Sequence, residues 1–149
     1  MDLIWQDVHH CDLSVAQLYA ILALRNQVFV VEQQCLYQDI DGNDLAGDNR
    51  HILGLLDGKL LAYARILAPE NLQQPVRIGR VIISQEARGL SLGYRLMERA
   101  IASCEQHWPG VSIALSAQAH LQEFYFRLGF KPFGEVYFED GIPHIDMQS

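Results

Sequence analysis

Apolar and polar positions follow two rhythms along the chain, and the changes between them divide it into elements. Residues 3–8, LIWQDV, read as a short strand, and residues 14–30, SVAQLYAILALRNQVFV, repeat apolar positions at helical spacing behind Ser14, a residue suited to capping a helix. HILGLLDGKLLAYARIL sets two apolar runs around Asp57-Gly58, a pair that readily takes positive φ in a tight turn, and so predicts a β-hairpin. After a break from Asn71 to Pro75, VRIGRVIIS is a further strand. LGYRLMERAIASCEQH then puts Leu92, Leu96, Met97, Ala100, Ile101 and Cys104 on one helical face and stops at Trp108-Pro109-Gly110. VSIALSA predicts a buried strand, AHLQEFYFRLGF a short helix ending at Gly129, and PFGEVYFEDGIPHIDM a second hairpin turning at Asp140-Gly141. The order is strand, helix, loop, three strands, helix, strand, helix, two strands, which is a mixed α/β layout around one central sheet.

Size and charge narrow this picture. A chain of 149 residues, half of them hydrophobic, is about the size of one domain, so residues 1–149 are expected to fold as a unit. The excess of 18 acidic over 11 basic residues, a net charge of -7, argues against a surface that tracks a nucleic-acid backbone. No apolar run reaches the roughly 18 residues of a membrane span and the amino terminus has no export pattern, so a cytoplasmic location is expected. Cys11, Cys35 and Cys104 are odd in number and far apart, which fits reduced thiols. His9-His10-Cys11-Asp12 could be imagined as a metal cluster, but adjacent residues of an extended chain point to opposite faces, and no metal is expected. EQQCLYQDIDGNDLAGDNR has no apolar period and reads as a loop; Gln38 to Asp48 would be a solvated turn-rich surface, or else a lure for a cationic amine.

The stretch QEARGLSLG, residues 85–93, carries the chemistry. Where a strand turns tightly into a helix, unpartnered backbone N–H groups and the positive end of the helix dipole converge on one point, and phosphate suits that point. Gly89 and Gly93 keep side chains out of the way, and Arg88 adds a positive charge. Taken alone, the pattern fits an ordinary turn at least as well.

Its context is more specific. RGLSLG follows a β-branched strand and opens a helix, and FYFRLGF follows the next strand. Together with the strand order, these segments resemble the GCN5-related N-acetyltransferases, whose usual motifs are RGxGxG and (F/Y)YxxxGF. Within that superfamily RNQVFVVEQ, QAHLQEFY and EDGIPHI are similar to the ElaA-like group of small bacterial proteins. The resemblance implies a mostly antiparallel sheet of about seven strands, flanked by helices and splayed between the fourth and fifth. It also implies acetyl-CoA as donor, its pantetheine arm bonded by backbone groups of Val81, Ile82 and Ile83 and its pyrophosphate by the amides of Arg88, Gly89, Leu90, Ser91, Leu92 and Gly93. Two departures stand out. Ser91 occupies the place of the middle glycine, and Gln118 that of a frequent asparagine.

The implied reaction is direct acetyl transfer to a primary amine of a small molecule or peptide. It requires that the amine lose a proton and that the departing thiolate gain one. Tyr125, in FYFRLGF, is the expected acid; without the motif it would read as a core aromatic. For the base Glu32, His51, His120, Glu123 and His144 are chemically able, and His144 leads through its place in EDGIPHI. Two alternatives stay open: an acyltransferase like the acyl-homoserine lactone synthases, which Arg25 and VFVVEQ also resemble, and a non-catalytic acyl-CoA sensor. The acceptor, the acyl length and the oligomeric state, a homodimer included, are not written in the sequence.

Overall fold

The computed structural model describes residues 2–149. Strand β1 (Ile4–His9) leads into helix α1 (Val15–Arg25), whose start is closed by a reciprocal capping box: the Gln17 amide donates to Ser14 Oγ at 3.0 Å and the Ser14 amide to Gln17 Oε1 at 2.9 Å. The helix does not run on regularly to Val30. From Asn26 to Glu32 it widens into a π-helix through the bulky run Val28-Phe29-Val30-Val31, and Gln33 N donates to Val28 O at 3.1 Å at its end. Crowded β-branched side chains disfavour the ordinary α turn, and π segments of this kind often mark functional positions.

The hairpin of β2 (Arg50–Leu56) and β3 (Lys59–Leu67) turns as expected, with φ of 51° at Asp57 and 79° at Gly58. Gly54 is there because β1 crosses closely: a Cβ on it would lie 2.7 Å from the Trp5 ring. Next come β4 (Val76–Ile83), α2 (Leu92–His107), β5 (Ile113–Gln118) and α3 (Gln122–Arg127). The closing segment holds three strands rather than two: β6 (Lys131–Pro132), β7 (Tyr137–Glu139) and β8 (Ile142–Gln148). The Asp140-Gly141 turn joins the last two, with φ of 51° and 77°.

The sheet runs β1-β2-β3-β4-β5-β8-β6, with β7 also paired to β8, and every neighbouring pair is antiparallel except β4 and β5. That parallel pair holds at only two positions, Val76 with Ile113 and Arg77 with Ala114, and the strands then part. The break coincides with a bulge in β4. The register against β3 slips between Tyr63 and Arg65, and Arg80 takes a left-handed φ of 50°.

One face of the sheet is covered by α2. Leu92, Leu96, Met97, Ala100 and Cys104 are buried there against Ile66, Val76, Ile78 and Leu115, while Ile101 is only half-buried and Ser103 takes its place on the inner face. The other face buries Ile21, Leu24 and Val28 against Leu53, Tyr63 and Ile82. Truncating any of these large side chains to alanine costs about 2–5 kcal/mol.

Most residues of the acidic loop are exposed, as expected of a turn-rich surface, but Asp39 and Asp44 are buried and three of its aspartates are held by arginines. Arg25, fully buried, donates to Asp39 at 2.8 Å and Asp44 at 2.5 Å; Arg65 donates to Asp41 and Asp44; Arg80 donates to Asp39 at 2.8 Å. Asp39, Asp41 and Asp44 are thus paired with arginines of α1, β3 and β4, while Asp48 is exposed beside His9. His51 is locked into the same layer. Its Nε2–H donates to the Asp44 carbonyl at 2.9 Å, so Nδ1 accepts from the Tyr63 hydroxyl at 2.6 Å, and burial holds the ring neutral by pushing its pKa down.

Candidate active site

The turn after β4, where a phosphate cradle is expected, passes directly into α2. A short 3₁₀ turn (Gln85–Ala87) is followed by Gly89 at φ 82° and Ser91 at φ 58°, where α2 begins. Ser91 therefore stands in a conformation that glycine adopts at lower cost, and its side chain makes no capping bond, so the first amides of this 16-residue helix keep free donors. Packing does not require the other two glycines: a Cβ on Gly89 would meet nothing within 4 Å, and one on Gly93 would only touch Phe124 at 3.7 Å. A cavity of about 650 Å³ opens beside them, lined by Arg88, Gly89, Ser91, Leu92 and Gly93 among others; Leu90 points outward, 46% exposed.

Arg88 is not a free charge in this cradle. Its guanidinium donates to both carboxylate oxygens of Glu32 and, through Nε, to the Ile83 carbonyl at 3.0 Å. Glu32 is thereby held as a carboxylate, its pKa lowered by the hydrogen bond from Arg88, which makes it a weaker base.

The gap between β4 and β5 begins past Arg77. Ile82 and Ile83 pair with Tyr63 and Ala62 of β3, and no rung to β5 is made beyond Arg77, so this edge of β4 is open along Val81 to Ile83 apart from the Ile83 carbonyl that Arg88 occupies. Such an edge is a row of backbone groups that a ligand can pair with.

On the face of the sheet that carries the acidic loop, the gap widens into a cleft of about 380 Å³ that brings together Val81, Gln118, Tyr125 and His144. Tyr125 packs edge-on to Phe124 and Phe130, and its hydroxyl makes no hydrogen bond among the described residues. Burial pushes its pKa up to about 12. Gln118 pairs with His144 across β5 and β8. His144 Nδ1–H donates to the Ile142 carbonyl at 2.7 Å, which leaves Nε2 as the free nitrogen, 3.8 Å from Glu139.

Of the five candidate bases only His144 lines the cleft. His51 is enclosed, His120 is exposed on a 3₁₀ turn, and Glu123 is exposed and paired with Arg127 at 2.8 Å. Several lining residues escape sequence reading: Phe29, Tyr37, Arg77, Ser116 and Glu139. Only Glu139 carried a signal, its place just before the Asp140-Gly141 turn.

Of His9, His10 and Cys11 only His9 belongs to the extended strand β1. His10–Asp12 is a turn of 3₁₀ helix, the two rings stack 4.6 Å apart, and the ligand atoms of the three residues lie within 4.8 Å of one another. Their present partners tie the end of β1 to the acidic loop: His9 Nδ1 accepts from the Cys11 amide at 3.1 Å, and His10 Nε2–H donates to the Gly47 carbonyl at 2.7 Å.

Comparison with known proteins gives this geometry a lineage. Residues 13–149 match the model of the acetyltransferase (GNAT) domain. The chain is 59% identical over 143 residues to protein ElaA of Escherichia coli (strain K12), covering 96% of this chain and 94% of that protein, and the crystal structure of E. coli ElaA superposes with a TM-score of 0.95. An acyl-CoA N-acyltransferase from Pseudomonas aeruginosa is 52% identical, with a TM-score of 0.96 and 99% of each chain covered. A CoA-dependent acyl-homoserine lactone synthase, 15% identical over 98% of this chain and 82% of that one, shares the fold with a TM-score of 0.81. Among the described residues no helix is long and apolar enough to cross a membrane.

Proposed function

Because the chain belongs to the acetyltransferase (GNAT) family and is similar to ElaA along nearly its whole length, we propose that it transfers an acetyl group from acetyl-CoA directly to a primary amine of a small molecule or peptide. The observation that carries this reading is the continuity of the site: the uncapped start of α2, the open edge of β4 and the cleft holding Tyr125 and His144 follow one another along a single gap in the sheet. The donor, when bound, supplies an activated thioester.

In this reading the amides from Arg88 to Gly93 hold the pyrophosphate, with Ser91 Oγ as a further donor, and the edge from Val81 to Ile83 aligns the pantetheine arm. Gln118 orients the reacting end. His144 takes the amine proton at Nε2, with Glu139 beside it to receive the positive charge.

Tyr125 keeps its proton at neutral pH, since burial pushes it up to about 12. Handing that proton outright to a thiolate whose thiol titrates near 8.5 would be uphill by on the order of 5 kcal/mol. Its work is therefore to donate a hydrogen bond to the sulfur as negative charge develops there, and the released thiolate takes its proton from water.

Thiol release from acetyl-CoA, measured with a panel of primary amines and with longer acyl-CoA thioesters, tests the proposal. Amine-dependent release that is fastest with acetyl-CoA supports it. Tight acyl-CoA binding without release for any amine would leave a sensor.

A further inference from the structure

The cleft holds one cation that the fold does not use. Arg65, Arg77 and Arg80 all line it. Arg65 is bound by Asp41 and Asp44, and Arg80 by Asp39 and Asp41, whereas Arg77 makes no ion pair or side-chain hydrogen bond among the described residues. Among the described residues no aspartate of the acidic loop lines the cleft; the carboxylates in its lining are Glu139 and Asp140, across from Arg77.

The sheet fixes how these charges are arranged. Arg77 stands at the last rung between β4 and β5, paired with Ala114, and paired residues of adjacent strands project from the same face. Alternation along β5 puts Ser116 and Gln118 on that face too, and pairing across to β8 adds Asp146 and His144. Asp146 is occupied, accepting from the Tyr137 hydroxyl at 2.7 Å. From Ala114 to Gln118 the strand rises about 13 Å, and an arginine side chain covers roughly half of that. A solvent-exposed positive group thus stands where β4 and β5 are joined, and His144 with Glu139 stands at the other end, several ångströms away.

We infer that the acceptor is a small amino carboxylate, its carboxylate held by the Arg77 guanidinium and its primary amine delivered to His144 Nε2 beside Glu139. This rests on the transfer reading and names its substrate class. The planar guanidinium suits a carboxylate in bidentate fashion, and the cleft of about 380 Å³ is at the small end of ligand sites. Both ends of such a molecule meet their opposite charge, while a plain alkylamine leaves Arg77 unanswered.

The test compares ω-amino carboxylates from glycine to 6-aminohexanoate with n-alkylamines of matching length, in the intact protein and in Arg77→Gln and Arg77→Lys. The expected result is a preference in kcat/KM for the amino carboxylate that peaks at an intermediate length. In Arg77→Gln that preference shrinks about tenfold or more, through KM, and Arg77→Lys restores part of it. Because the readout is a ratio within one protein preparation, loss of folded material does not move it. Equal use of both series by the intact protein, or a ratio unmoved by Arg77→Gln, overturns the inference while leaving amine acetylation intact. Calorimetric titration of the CoA-loaded protein with the same compounds separates the two readings. Arg77-dependent binding without turnover keeps the carboxylate site and removes the transfer, and no binding or turnover of any amino carboxylate removes the site.

Discussion

Arg88 joins Glu32 at the π-helical end of α1 to the Ile83 carbonyl at the end of β4, so one guanidinium ties the turn after β4 to the helix that borders the cleft. Glu32 and a bound phosphate would compete for the same cation. Glu32→Gln should therefore tighten CoA binding by up to about fivefold, an effect that fades as salt rises. Calorimetric titration at low and high ionic strength reads it directly, and weaker binding in the variant would show that Glu32 holds the cradle in shape instead.

Gly89→Asp tests the cradle itself. The site has room for the side chain, and aspartate tolerates the positive φ of 82° better than most residues, so the fold should persist. A carboxylate beside the pyrophosphate should nevertheless abolish measurable CoA affinity. Unchanged affinity in a folded variant would move the phosphate site elsewhere.

Tyr125→Phe removes a hydroxyl that makes no hydrogen bond among the described residues and keeps the ring between Phe124 and Phe130. Thermal stability should hardly change, CoA affinity should stay near normal, and turnover should fall roughly 10²- to 10⁴-fold. Turnover equal to the parent protein would return Tyr125 to a purely packing role.

His144→Ala should lower turnover most at neutral pH, with partial recovery at higher pH where more of the amine is already deprotonated. A structural role would instead lower the melting temperature and leave the pH–rate curves parallel. Recording the full profile for both proteins separates the two.

The buried ion network makes stability depend on acid. Burial pushes the carboxyls of Asp41 and Asp44 up, but hydrogen bonds and charge from Arg65 and Arg25 more than reverse this, leaving both below the usual carboxylate range. A pKa depressed in the folded state contributes stability that is complete above about 4, the unfolded value, and is lost as pH falls toward the folded one. Denaturant midpoints should thus drop between about pH 4 and pH 2. Asp44→Asn removes one of two carboxylates from each of Arg25 and Arg65, which keep Asp39 and Asp41, should cost about 3 kcal/mol at neutral pH, and should flatten that acid limb.

The parts of this structure that were legible in the sequence are those set by local chemistry. Both Asp-Gly hairpins, the Ser14 cap and the apolar face of α2 depend on residues a few positions apart. The turn RGLSLG and Tyr125 needed a family pattern, because one strand-to-helix turn or one aromatic residue is ambiguous. What escaped was settled at long range. Asp39, Asp41 and Asp44 find Arg25, Arg65 and Arg80 only when three separate elements meet, so a segment that is mostly exposed still buries two of its aspartates. The π-helix from Asn26 escaped because i→i+5 bonding leaves no distinct apolar period, and Arg77 could not be told from the other arginines until their partners were known.

The two-rung joint between β4 and β5 also governs how the molecule assembles and breathes. Strands β2, β3 and β4 close through a two-residue turn and a short loop, while β5 can dock only after the whole of α2 has crossed over. Amide hydrogen exchange should accordingly find the β5–β8 half opening from the rest below the energy of global unfolding, as one leaf along a weak seam. A molecule seated in the gap and bonded to both edges would supply the missing rungs, so protection of the amides on either side of the seam would rise together on binding.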